Sequence, residues 1–196
     1  MKKLLLSSAL VFGLAGCQST GGNNIQDLTC YFPDSVQDEA PQWVCDVMPD
    51  SIAIGSVGYA KKSAAGMSVM RTIAVNDARR GLAEQFESNV NTMFKQAMAT
   101  TVQSTGEAVS EEVNEQFESV TKTMTSRTLS NSRVIVTQRS PAGGLYTLVG
   151  MDQATYDSNV AQVVEAASNK ESGLWNKFNN KKAEESLQQA LDSMIQ

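Results

Sequence analysis

The chain is predicted to fold as an α+β domain: a small three-stranded antiparallel or mixed sheet packed by a long amphipathic helix, with a helical insert and C-terminal helices. Three observations predict it. Apolar residues recur at helical spacing from Met70 to Ala97. Two strand-like runs, Thr128–Ser140 and Leu145–Met151, flank Pro141-Ala-Gly-Gly144, which is turn chemistry and makes them a β-hairpin. A third strand-like run, Ser51–Gly58, precedes the helix.

The first residues stand apart from that domain. Lys2 and Lys3 give a positive start, and Leu4 to Gly13 an apolar run of roughly ten residues, about half of what a membrane-spanning helix needs. Leu14-Ala-Gly-Cys17 follows and reads as a lipobox. The Cys17 thiol is the nucleophile that a diacylglycerol donor alkylates, and the small Ala15 and Gly16 let the backbone enter a peptidase. Cleavage frees the Cys17 amine for an N-acyl chain. Residues 1–16 are therefore expected to be a lipoprotein signal peptide, and Cys17 the lipidated first residue of the mature chain. Each buried methylene contributes about 0.8 kcal/mol, so several acyl chains (palmitate-like in length) anchor durably. Gln18, where an Asp would favour retention at the inner membrane, points to the outer membrane; the periplasmic face is the expected side, though no residue fixes it.

Residues 17–40 are expected to be the acylated N-terminus and a flexible tether, with the polar, Gly/Asn-rich stretch at 18–29. Residues 41–196 form one domain with a helical insert at about 98–125. Cys30 and Cys45 pair in an oxidising compartment, closing a loop worth about 3 kcal/mol. Zinc is the rival, but two such cysteines in a chain without histidine make a poor site.

Pro33, Pro41 and Pro49 keep the following segment extended or turned. In the first strand, Ile52, Ile54 and Ser56 point one way and Ala53, Gly55 and Val57 the other; the small residues of the second set suggest that a helix approaches there. Met70, Ile73, Ala74, Ala78, Leu82, Phe86, Val90, Met93, Phe94 and Ala97 then form the long helix's stripe. In the insert Val109, Val113, Phe117, Val120 and Met124 make a narrow seam, broken near Gly106, that packs either on its own domain or on another subunit. Asp152 caps a helix carrying Tyr156, Val160, Val163, Val164 and Ala167. Gly173 separates it from a last helix with Ala183, Leu187, Ala190 and Met194 on one face.

The chain of 196 residues has sixteen basic and twenty-one acidic ones, and removing the signal takes away two of the basic ones. That balance argues against nucleic acid and against adhesion to anionic lipid by charge alone. With no histidine, the commonest general base and metal ligand are missing. No serine sits in a nucleophile elbow, and Gly55-Ser-Val-Gly58 lacks the lysine of a phosphate loop. Glu111, Glu112, Glu115 and Glu118 read as a solvated helix face rather than an acid pair or calcium site. No catalytic residue, metal ligand or cofactor is expected beyond the lipid on Cys17. Trp175 and Phe178, beside Lys177, Lys181 and Lys182, serve either core packing or docking. With Val109, Val113, Phe117 and Val120 they are the candidate oligomer or partner interface.

Ala40-Pro-Gln-Trp-Val44, Gly55-Ser-Val-Gly58, Asn76-Asp-Ala-Arg-Arg-Gly-Leu-Ala83, Ser132-Arg-Val-Ile-Val-Thr137 and Leu145-Tyr-Thr-Leu-Val-Gly150 follow one another in an order that resembles the LPP-twenty lipoprotein family, which includes flagellar outer-membrane lipoproteins. The resemblance covers about residues 40–152. It implies a small α+β domain that works by assembling, in some members as rings or discs around the flagellar motor. The expected function is therefore a non-enzymatic structural component of an envelope complex, homo-oligomeric or joined to other envelope proteins. The rival is a lipoprotein binding module that regulates a cell-wall enzyme or holds a small hydrophobic ligand.

Overall fold

The structure is a computed structural model and describes residues 29–106, 109–128, 131–178 and 180–195. Cys17 and the 18–28 part of the tether lie outside the described residues.

The described chain opens with a hairpin, β1 (Tyr31–Phe32) and β2 (Ser35–Glu39), followed by a 3-10 turn at Gln42–Cys45. The tether assigned to 17–40 is thus shorter than expected, because residues 30–40 are folded. Cys30 and Phe32 are buried, and the Ala40 N–H donates to the Cys30 carbonyl at 2.8 Å. Strand β3 (Ile54–Ala60) leads into α1 (Met67–Thr105), and α2 (Glu111–Thr128) precedes the strands β4 (Arg133–Arg139) and β5 (Leu145–Met151). Helix α3 (Gln153–Ser168), two 3-10 turns and α4 (Lys181–Ser193) complete it.

The main sheet is antiparallel with the order β3-β5-β4, so the last strand of the three is central. Every residue of β5 is buried because both faces of the sheet are covered. On one face the pairs Ile54–Met151, Ser56–Val149 and Ala60–Leu145 lie under α1. On the other, Val57–Leu148 and Tyr59–Tyr146 pack on Phe32, Trp43 and Val44 of the N-terminal hairpin and 3-10 turn. The sequence reading placed the helix over Ala53, Gly55 and Val57; the structure corrects this to the opposite face. The close approach is at Gly58, where a Cβ would stand 2.0 Å from the Ala74 carbonyl oxygen. Gly55 instead faces the ends of Met48 and Leu148.

Helix α1, 39 residues or about 58 Å long, buries Met70, Ala74, Ala78, Leu82, Phe86, Val90, Phe94 and Ala97. Ile73, assigned to that stripe, lies off it and is 49% exposed. The helix continues through residues 98–105, part of the expected insert, and stops at Gly106, whose φ of 72° and N–H bond to the Val102 carbonyl form a left-handed cap. The reason for the extension is local. Thr101 is buried with its hydroxyl donated to the Ala97 carbonyl (3.0 Å), and on α2 Thr121 and Thr125 do the same to Phe117 and Thr121. A threonine satisfied within its own helix enters a core much as an apolar residue does.

Helix α2 folds back so that Phe117 stacks on Phe94 with centroids 3.7 Å apart. It runs to Thr128, so the expected strand at 128–140 begins only at Arg133. A bulge at Ile135 separates the pairs Val134–Val149 and Val136–Leu148, turning Val134 and Val136 to opposite faces. Asp152 caps α3 by accepting from the Thr155 N–H at 2.9 Å, and Leu191 joins Ala183 and Leu187 as the buried line of α4.

Candidate functional site

The sequence-predicted cysteines meet. Cys30 and Cys45 form a disulfide (S–S 2.04 Å) joining the start of the described chain to the end of the 3-10 turn. The predicted interface residues are reassigned by burial. Val113 and Phe117 are fully buried in the chain's own core, and Val109 and Val120 are half-buried against it, so the seam closes intramolecularly. Trp175 and Phe178 are also half-buried against that core and stack on each other at 5.8 Å. The glutamate run stays a solvated face. Glu112 pairs with Lys177 at 3.6 Å and Glu118 with Lys95 at 3.4 Å, and no group able to hold a metal ion occurs among the described residues.

A polar clamp that sequence reasoning missed ties the N-terminal hairpin to the sheet. Asp34 sits in the turn between β1 and β2. Its carboxylate accepts from the Tyr146 hydroxyl at 3.0 Å, the Tyr59 hydroxyl at 3.2 Å and the Ser140 hydroxyl at 2.7 Å. Ser140 in turn accepts from the Gly144 N–H at 3.0 Å, closing the β4–β5 turn. A Cβ at Gly144 would lie 2.3 Å from the Asp34 carboxylate, so only glycine leaves room for it. Burial first, and then the neighbouring Asp34, push both tyrosine hydroxyls above the usual range, which keeps them protonated as donors. The partners are 25 to 112 residues apart, so no local motif announces the clamp. Pro33-Asp34 as turn chemistry is the one signal that could have located the hairpin. The arrangement holds the module against the sheet.

The two edges of the sheet differ. At β3 the Tyr59 N–H is taken by the Asp77 carboxylate of α1 at 3.0 Å, and this bond, with the ion pair to Arg80, holds Asp77 below the usual carboxylate range. At β4 every residue is exposed or half-exposed, with Val134 46% and Ile135 38% accessible. A cavity also opens beside Trp175, at the junction of α3 and α4.

A three-stranded sheet held between a long helix and a disulfide-stapled N-terminal module defines a small α+β domain. Residues 41–152, more than half of the chain, match the LPP20 lipoprotein family, and the chain belongs to that family. The match takes in β3 through β5 and leaves the β1–β2 hairpin, α3 and α4 outside. Among curated proteins none matches the chain. No described helix is long and apolar enough to cross a membrane.

Proposed function

We propose that the chain is a non-enzymatic lipoprotein, anchored through acylated Cys17 to the periplasmic face of the outer membrane, that serves as an assembly component of an envelope complex. Its location rests on the lipobox Leu14-Ala-Gly-Cys17, ahead of a folded region that belongs to a lipoprotein family, and on Gln18 as the sorting residue. One observation carries the assembly: strand β4 is an edge strand with no further strand paired to it among the described residues and with Val134 and Ile135 accessible, and such an edge is a template for another strand. A flagellar ring or disc is the specific form that the family resemblance suggests.

The test is chemical cross-linking of the native lipoprotein in its membrane, followed by sizing. A ladder of multimers that Ile135→Lys abolishes supports the reading; a monomer at every concentration removes it. Fatty-acid labelling that survives in Cys17→Ala would remove the anchor. A fluorescent fusion spread evenly over the cell, away from flagellar bases, would remove the flagellar form. A second reading, a binding module that regulates an envelope enzyme, is favoured by the cavity beside Trp175. A pull-down returning one stoichiometric enzyme and no self-association would put it first.

A further inference from the structure

Helix α3 ends at Ser168, and the chain doubles back through the 3-10 turns Lys170–Ser172 and Trp175–Lys177 before α4 begins. That reversal borders an open cavity of about 340 Å³. One wall is the end of α3 and the indole of Trp175, with Lys170 at its side. The other is the face of α4 that presents Glu184 and Glu185 and, one turn on, Gln188 and Gln189.

The indole is fixed in place. Its Nε1–H donates to the Ser168 carbonyl at 3.2 Å, and Phe178, which does not line the cavity, stacks against it at 5.8 Å and 24°. An aromatic surface is thereby held towards the cavity without rotational freedom. Facing it, Lys170, Glu184 and Glu185 enter no ion pair among the described residues, while the Gln188 amide N–H groups already donate to the Ser168 hydroxyl at 3.3 Å and the Asp192 carboxylate at 2.9 Å.

The composition selects a ligand class. An apolar ligand would cover the indole but make no use of the Glu184 and Glu185 carboxylates, the Gln189 amide and the Lys170 ammonium around it. An anion meets two glutamates. A simple cation is opposed by Lys170. A pyranose sugar makes use of the indole and of the polar groups beside it together. Its C–H face lies on the negative face of the indole, while its hydroxyls donate to carboxylates and amide carbonyls and accept from amide and ammonium N–H groups. The volume is at the small end of ligand sites, about 300–1,000 Å³, and suits one or two rings. We propose that the cavity beside Trp175 is a binding site for a pyranose saccharide, presented as a terminal or accessible unit of a glycan. The inference stands whether or not the chain self-assembles.

The experiment is saturation-transfer NMR on the full lipoprotein in a phosphocholine detergent, so that no detergent head carries a sugar. The probes are diacetylchitobiose and maltose, with cadaverine and decanoate as rivals. Transfer to the ring protons of at least one sugar is expected. Trp175→Ala should weaken it about tenfold, Glu185→Gln, on the exposed side of α4, about threefold, and Glu115→Gln on α2 not at all. Because Trp175→Ala could loosen the turn, Glu185→Gln with an unchanged circular dichroism spectrum carries the test independently. No transfer to either sugar at about 10 mM, tighter binding of cadaverine or decanoate than of both sugars, or transfer indifferent to both variants would each overturn the assignment.

Discussion

Replacing Gly58 by alanine should be among the most damaging single-methyl changes in this protein. The added Cβ would stand 2.0 Å from the Ala74 carbonyl oxygen and 2.3 Å from the Ala78 amide nitrogen. Ordinary carbon–oxygen contact is about 3.3 Å, so α1 must lift off the sheet by about 1.3 Å. A gap of that size forfeits about half or more of the dispersion attraction along the contact, where Ala74, Ala78 and Leu82 are wholly buried. The cost falls at the upper end of overpacking, about 3 kcal/mol, which in a chain of this size lowers the melting temperature by about 6–12 °C. Gly55→Ala is the control, because its nearest atom is the flexible end of Met48, 2.9 Å away. It should cost about 1 kcal/mol or less. Thermal circular dichroism of the two variants reads the difference. Since the clash at Gly58 is with backbone, Ala78→Gly should not rescue it. A Gly58→Ala protein that melts within about 2 °C of the wild type, or a rescue by Ala78→Gly, would refute the packing argument.

Replacing both Cys30 and Cys45 by serine releases a loop whose closure is worth about 3 kcal/mol, and a urea midpoint unchanged from the wild type would contradict that. Phe117→Ala should cost about 3–5 kcal/mol in urea unfolding, with a loss independent of protein concentration; concentration dependence would instead place Phe117 between subunits. In the clamp, Tyr59 and Tyr146 have folded values raised above the unfolded one, so their contribution is complete below about pH 10 and is lost as the pH rises through the folded values. An absorbance titration of the four tyrosines should show three ionising late, Tyr59 and Tyr146 of the clamp and Tyr156, which burial raises, with Asp34→Asn moving the Tyr59 step downward; a titration that Asp34→Asn leaves unchanged would sever the link.

What could be read from the sequence was whatever repeats locally. The spacing of Met70, Ala74, Ala78, Leu82 and Phe86 is enough to define α1, since a helix sorts its own faces. Asp152 and the Pro141-Ala-Gly-Gly144 turn act within a few residues and were equally legible, as was the pairing of Cys30 with Cys45. Other features depend on distant partners. The burial of Phe32 requires Tyr146, and the role of Asp34 requires Ser140, neither of which is near in the chain. The face of β3 that meets α1 follows from where Gly58 falls against Ala74, and alternation alone cannot tell one face from the other. Thr101, Thr121 and Thr125 look polar in composition while behaving as core, which hid the true length of both helices. The cavity wall beside Trp175 comes from a chain reversal that Gly173, with φ at 78°, permits, and glycine alone does not give its direction.

The bond between Cys30 and Cys45 also decides where tension would travel. A pull on the residues ahead of Cys30 crosses directly to Cys45, whose Cα is 5.9 Å away, and passes from there towards β3. The β1–β2 hairpin hangs beside that path rather than along it, so it can open without letting out the roughly 50 Å of slack that fifteen extended residues contain. The distance between whatever holds the N-terminus and the sheet is therefore insensitive to the state of the hairpin, and becomes sensitive to it only on reduction.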